Sequence, residues 1–332
     1  MRIALDAMGS DRAPAVEVEG AVGALLDRSD DMRVVLVGDR DRIQAELARF
    51  PDAPRDRLEI VHASEVIEMG EAPATAIRRK RDSSIVVGVN LLKAGEVDAF
   101  ISAGSTGAVM AASLVILRTI AGVDRPPVGA RIPTATGRCL ALDVGANVDT
   151  KPHQLVQFAE LGSVYAQDIL GIDNPRVGLL NIGSEPEKGN EVVVEAHQLL
   201  LKATDLNFIG NVEGREIVSG HCDVLVADGF VGNVLLKFYE SVAGLITSML
   251  KREFAEMGVE MDLDRVFRRL DYTGIGGAPL LGVNGVVIIC HGGSPPHAIT
   301  NAIGVAAQSV ERRMVDHMAA RLDKPAEGQA AQ

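Results

Sequence analysis

A short apolar run that closes in small residues and reopens as a helix recurs along this chain, and it limits the possible folds more than any other feature. The clearest case is the stretch 98–117. Ala99-Phe100-Ile101 reads as a buried strand and Ser102-Ala103-Gly104-Ser105-Thr106-Gly107 as a tight turn, after which Val109, Ala112, Leu114 and Ile116 fall at helical spacing. Gly104 and Gly107 allow the bend without a Cβ clash, and Ser105 and Thr106 offer N-cap oxygens. The first helical turn then presents unpaired N–H groups at the carboxyl end of a strand, where the helix dipole also favours an anion. One such turn on its own is simply a well-capped connection; the recurrence is what favours a ligand site.

The pattern predicts strands at 2–5, 32–37, 58–62, 99–101, 139–143, 176–180, 224–227 and 286–290, with helices between them. That order specifies an α/β fold, doubly wound around a mostly parallel sheet with right-handed crossovers. Small and polar residues fill the strand ends: the loop 6–14, Asn147 and Asp149 after the fifth strand, Lys188 and Asn190 after the sixth, Asp228 and Asn233 after the seventh, and His291 after the last. Ser184 and Glu187 have capping-box spacing, whereas Lys188, in the same glycine-bounded loop, offers an ammonium suited to a phosphate or an oxyanion. The long helix that follows the turn 228–233 carries an apolar stripe of Leu235, Phe238, Val242, Leu245, Met249 and Leu250, for which core packing is the first expectation and a dimer seam the second. Beyond Gly258, a short segment places Leu263, Val266, Phe267 and Leu270 together, with Arg265, Arg268 and Arg269 among them. Such a face suits a partner helix first and an anionic membrane surface second.

At 332 residues and 47% hydrophobic, the chain can bury a large core as one α/β catalytic domain over 1–322, either as a single unit or as two lobes around a cleft, with a helical extension at 230–272 and a disordered tail at 323–332. Its three cysteines, Cys139, Cys222 and Cys290, are far apart and odd in number, which points to buried thiols in a reducing compartment. No targeting segment is expected, because Asp6 cuts the first apolar run; the longest uninterrupted apolar runs, near 108–117 and 285–290, are too short to span a bilayer, so a cytoplasmic protein is expected. A net charge of −12 argues against broad nucleic-acid binding. Within that acidic chain, Arg78-Arg79-Lys80-Arg81 is either a solvated face or the landing place of an acidic partner.

Dinucleotide and nucleoside-triphosphate signatures are both missing, as are paired metal-ligand motifs and a nucleophile elbow. No cofactor and no metal are therefore expected. A site rich in donors and poor in side-chain nucleophiles suits a substrate that brings its own nucleophile, and phosphate can do so.

The motifs Asp6-Ala7-Met8-Gly9-Ser10-Asp11-Arg12-Ala13-Pro14, the turn 102–108, Gly145-Ala146-Asn147-Val148-Asp149, Lys188-Gly189-Asn190-Glu191, the run 208–214, the turn 228–233 and the run 277–285 closely resemble those of the PlsX-type phosphate acyltransferases, in order and over residues 1 to about 310. The resemblance implies transfer of a long-chain acyl group from acyl carrier protein to inorganic phosphate, forming acyl phosphate for phospholipid synthesis. It also implies a homodimer, a fold like those of phosphotransacetylase and the isocitrate and isopropylmalate dehydrogenases, and peripheral association with the inner face of the cell membrane. On that basis Gly104, Ser105, Thr106 and Gly107, with Lys188 and Asn190, are expected to hold phosphate. Asn147, Asn233 and His291 are expected to stabilise the oxyanion. Asp149 and Asp228 either orient those groups or act as helix caps and loop partners, the two readings weighing equally. Carrier protein is acidic, so Arg78, Arg79, Lys80 and Arg81 are expected to dock it. Two rivals stay open: a nicotinamide- and metal-dependent decarboxylating dehydrogenase on the same fold, and a non-catalytic scaffold for carrier protein at the membrane.

Overall fold

The computed structural model describes residues 1–28, 31–258 and 276–323. The predicted alternation is present, divided between two sheets. The first is built from β1 (Arg2–Asp6), β2 (Arg33–Gly38), β3 (Leu58–His62) and β4 (Ala99–Ser102), with α1 (Ala15–Leu26), α2 (Arg40–Leu47), α3 (Pro73–Arg79) and α4 (Ser84–Lys93) between them. These strands read as near-continuous apolar runs because helices cover both faces of the sheet. Local chemistry sets the helix starts: Asp39 accepts from the N–H groups of Asp41 and Arg42, and Ser83 Oγ accepts from Val86 N–H.

After α5 (Thr106–Ala112) the chain moves to the second sheet: β5 (Gly129–Thr134), β6 (Gly137–Leu142), α6 (Pro152–Asp168), β7 (Arg176–Asn181), α7 (Glu191–Leu200), β8 (Asn207–Glu213), α8 (Gly214–Ile217) and β9 (Val224–Val226). The long helix α9 (Gly229–Glu256) follows. The chain then returns to the first sheet with β10 (Ala278–Pro279) and β11 (Val286–Ile289), and ends in α10 (Pro296–Glu311) and α11 (Met314–Leu322).

The first sheet has the order β10-β11-β4-β1-β2-β3 and the second β5-β6-β9-β7-β8. Both are parallel except at one edge, where β10 runs against β11 and β5 against β6. The two antiparallel edges meet: Val128 bridges Leu280, and Leu281 N–H donates to Pro127 O at 3.0 Å. Two apolar clusters each draw on both sheets. Ile3, Leu5 and Ile101 join Leu140, Phe158 and Val224 on one side, while Ala4 and Phe100 join Ile132, Ala141 and Leu225 on the other. This sharing ties the sheets together and fixes the space between their strand ends.

Several expectations change. The hairpin strand β5, the strand β8 and the short β10 are not among the predicted strands; β8 mixes Asn207, Gly210 and Asn211 into its run, and Gly210 takes a positive φ of 97° beside a register shift at which the pairing with β7 passes over Ile209. Ser184 and Glu187 start no helix, because Asn190 caps α7 by accepting from Val193 N–H at 2.9 Å. Most of the apolar stripe of α9 is not core: Leu235 packs against the core, but Phe238, Leu245 and Met249 are 68%, 59% and 51% exposed, and only Gly229 and Gly232 of that helix are buried. The first turns of the helix are seated on the body, where Leu235, Leu236 and Tyr239 pack against the core, and the exposed residues lie mostly beyond them. Leu263, Val266, Phe267 and Leu270 lie outside the described residues, as does the tail after Asp323.

Candidate active site

In the first sheet the chain runs from β1 outward to β2 and β3 on one side and to β4 and β11 on the other. The order therefore reverses between β1 and β4, the place where open α/β sheets leave a crevice at the carboxyl ends of their strands. The loops after β1 and β4 press together there. A Cβ on Gly9 would lie 2.5 Å from the Gly104 nitrogen and 2.8 Å from Asp6 Oδ2, so only glycine lets the two backbones approach. Asp6 holds the arrangement from below, accepting from Met8 N–H at 3.0 Å and Ser102 Oγ at 2.7 Å, while Ser102 Oγ accepts from Gly104 N–H at 3.0 Å. Burial pushes the Asp6 carboxyl up, against the lowering effect of those bonds.

The Gly104 N–H is thus spent within the protein. Ser105 Oγ caps Ala108 N–H at 3.4 Å, and the N–H groups of Ser105, Thr106 and Gly107 have no acceptor among the described residues. These donors form the anion-ready end of α5. A Cβ on Gly107 would sit 2.7 Å from Pro73 Cγ, which shows how closely the start of α3 backs this turn.

The second sheet supplies the opposite wall through a buried carboxylate. Asp143 accepts from Val128 N–H (3.0 Å), Ala146 N–H (3.1 Å), Asn147 N–H (2.7 Å) and Asn147 Nδ2 (2.9 Å), and its carboxyl is raised by burial despite them. Asn147 Nδ2 also donates to Pro126 O at 3.1 Å, and Asn147 O accepts from Gly229 N–H at 2.8 Å. Together with the Asp228 cap on Val231 N–H (2.8 Å), this seats α9 on the loop. Gly145, at φ 129°, lies against the Asn233 side chain in a conformation that an L side chain rarely adopts.

Between these walls lies a cavity of about 330 Å³. Thr106, Asn233, His291 and Ser294 give it polar groups, and Val128, Ala130, Val144, Leu236, Ala278 and Ile289 give it apolar lining. Gly293 N–H donates to His291 Nδ1 at 3.2 Å, so the ring hydrogen sits on Nε2, where it can donate. Cys290 also borders the cavity, but burial above all, and then the Glu17 charge, push its thiol up to about 12, which keeps it from acting as a nucleophile. Among the described residues, no group of three His, Cys, Asp or Glu side chains is arranged to hold a metal ion.

The cavity unites Thr106, Asn233 and His291 from the sequence reading. Asn147 stands behind it, with its amide engaged at Asp143 and Pro126, and Asp228 is a helix cap. Asp149 is exposed. Lys188 and Asn190 do not border the cavity; Asn190 caps α7, and Lys188 is exposed on a loop held by Asn181 Nδ2, which donates to Lys188 O at 2.8 Å, and by Asn211 Nδ2, which donates to Glu185 O at 2.8 Å. Of the basic run, Arg78, Arg79 and Arg81 are exposed, whereas Lys80 turns inward to Glu71 Oε1 (2.5 Å) and Val66 O (2.6 Å). The sequence reading missed Ser294, Cys290, Lys237 and Arg131 as lining residues. Arg131 did leave a signal, as a lone charge within the apolar run 128–132.

A family model described as fatty acid synthesis protein matches residues 1–317. The phosphate acyltransferase of Heliobacterium modesticaldum is 52% identical over 323 residues, covering 95% of this chain and 96% of that one. The chain belongs to the phosphate acyltransferase family. A second acyltransferase of the family, from Desulforamulus reducens, is 49% identical over 322 residues, covering 95% of each chain. The EutD phosphotransacetylase of Staphylococcus aureus shares the fold, with a TM-score of 0.63 at 17% identity, over 93% of this chain and 94% of its own. A phosphotransacetylase from Streptococcus pyogenes is similar, at 0.61 and 20%, over 94% of both. The likeness spans both sheets of this chain.

Proposed function

We propose that this chain transfers a long-chain acyl group from the thioester of acyl carrier protein to inorganic phosphate, giving acyl phosphate for phospholipid synthesis and a free carrier thiol. The observation that carries the reading is the mixed character of the cavity: Thr106, at the donor-bearing start of α5, on one side, and an apolar lining suited to an acyl chain on the other. In this account the N–H groups of Ser105, Thr106 and Gly107 hold phosphate, and Lys188, exposed on the loop after β7, draws phosphate toward the site by its charge, while Asn190 serves as the cap of α7. A phosphate oxygen attacks the thioester carbonyl carbon; the tetrahedral oxyanion collapses, the C–S bond breaks and its electron pair leaves on sulfur. A thiol of pKa about 8.5 departs with little proton donation, so alignment and oxyanion stabilisation supply most of the rate. His291 Nε2 and the Asn233 amide serve the oxyanion, and Asn147 acts by fixing the loop that seats α9.

Arg78, Arg79 and Arg81 dock the acidic carrier from α3 and the residues that follow it, the helix whose Pro73 backs the Gly107 turn. The exposed stripe of α9 is assigned to a homodimer seam, and the segment holding Leu263, Val266, Phe267 and Leu270 to peripheral contact with the inner face of the cell membrane from a cytoplasmic position. Purified protein incubated with long-chain acyl carrier protein, with and without phosphate, and trapped with hydroxylamine tests the reaction. Phosphate-dependent acyl hydroxamate is expected. Its absence, with carrier still bound, would favour the scaffold reading.

A further inference from the structure

Arg131 is 7% exposed, and its Nε and Nη2 have no hydrogen-bond partner. An uncompensated buried guanidinium is strongly unfavourable, and folded proteins generally pair such charges. The pairing of β5 with β6 makes the position stranger still. Arg131 lies opposite Leu140 and Pro133 opposite Arg138, so Arg131 and Arg138 are diagonal neighbours on one face of the hairpin. Arg138 is exposed and has no carboxylate partner among the described residues. Like charges side by side without an acid repel each other.

That face opens into a second cavity, of about 420 Å³, closed by Asp27 and Arg28 at the end of α1 and by Asn301 and Gln308 on α10. Its lining carries three guanidinium groups against the single carboxylate of Asp27. Arg28 is already paired with Glu311 at 2.9 Å, which leaves Arg131 and Arg138 as the excess charge. Two forked cations around a polar space match a dianionic oxyanion, above all a phosphoryl group. The cavity is also bordered by Thr300, whose hydroxyl donates to Gly20 O at 2.9 Å, and by Gln308, whose amide nitrogen donates to Ile169 O at 3.2 Å.

We propose that this second cavity binds a small molecule bearing a phosphoryl group, held by Arg138 and by Arg131, the residue that the two cavities share. Binding is read without turnover, and because the acyl-transfer reading places phosphate in the first cavity as well, the part of the binding that belongs to the second cavity is the part lost in Arg138→Ala, whose residue borders the second cavity and not the first. Isothermal titration of the full-length protein with inorganic pyrophosphate is the primary test, with inorganic phosphate and methyl phosphate as further arms and Arg131→Met, Arg138→Ala and His291→Ala as variants. Wild type is expected to bind pyrophosphate saturably, Arg138→Ala at least about tenfold more weakly, and Arg131→Met not at all. His291→Ala is expected to bind within about twofold of wild type, because it alters only the first cavity. Arg131→Met is also expected to raise Tm in the absence of anion, since it removes an unpaired buried charge. Tighter binding of methyl phosphate than of phosphate would identify a phosphate ester as the natural class; the reverse would identify the free anion. No saturable binding by wild type up to about 10 mM, or equal binding by wild type and Arg138→Ala, would overturn the proposal. Arg138 is exposed, so its variant keeps the test decisive even if Arg131→Met fails to fold.

Discussion

Glu17 on α1 is fully buried, with Oε1 accepting from Ser10 N–H at 2.8 Å and Oε2 lacking any partner. Burial first, and the nearby Asp6 charge to a lesser degree, push its carboxyl up from 4.5 to about 7. The folded state therefore holds this proton more tightly than the unfolded chain does. The resulting stability is fully present below about pH 4.5 and is lost as pH rises through about 7. At 1.36 kcal/mol per pH unit the full loss is about 3 kcal/mol, of which about 2.5 kcal/mol falls between roughly pH 5 and pH 8.5. Glu17→Gln keeps the shape of the protonated acid and the acceptor for Ser10 but cannot ionise. Urea unfolding followed by circular dichroism at those two pH values, at one ionic strength, measures the difference directly. The variant should gain on wild type by about 2.5 kcal/mol on going from the lower to the higher pH, because the contributions of Asp6 and Asp143 are common to both proteins and cancel to first order. Parallel stability profiles would refute the reasoning, because they would mean that Glu17 ionises in the folded protein as easily as in the unfolded one. The loop is functional ground: Ser10 adjoins Asp11, whose N–H donates to Gly292 O at 2.9 Å beside His291.

His291→Ala should lower kcat by about 10²- to 10³-fold with a much smaller change in KM for phosphate, as read by steady-state kinetics; an unchanged kcat would remove His291 from the oxyanion role. Gly9→Ala, which forces a Cβ to within 2.5 Å of the Gly104 nitrogen, should destabilise the fold by about 2 kcal/mol or more in urea melts, and a neutral result would mean that the two loops separate readily. Reversing Arg79 and Arg81 to Glu should raise KM for acyl carrier protein by about tenfold at low salt and weaken its salt dependence, whereas unchanged kinetics would move the docking face elsewhere. Phe238→Asp combined with Leu245→Asp should convert a dimer to monomers in light scattering, and a dimer that survives both changes would assign this stripe to another contact.

The sequence made the strand–turn–helix units legible because their signals are local. The apolar run 99–101, the small turn and the Ser105 cap sit within a dozen residues, and each was placed correctly. What escaped were features that depend on distant partners. β5 is a strand only because β6 pairs with it antiparallel, and the buried bonds of Asp6 and Asp143 join loops that the sequence keeps apart. Asn147 shows the limit well: its residue type suits an oxyanion donor, yet its amide is committed to Asp143 and Pro126, contacts that no spacing rule reveals. The exposure of Phe238 and Leu245 likewise could not be read from periodicity, because an apolar stripe looks the same whether it faces a core or a second chain.

The most direct test of the central claim follows the oxygen. Phosphate labelled with ¹⁸O on all four positions, supplied with long-chain acyl carrier protein under single-turnover conditions, is examined by ³¹P resonance and mass spectrometry of the product. Attack by phosphate predicts acyl phosphate that retains the label at every phosphate oxygen, including the bridging one. Unlabelled free fatty acid as the only acyl product would show that water is the nucleophile and would contradict the account.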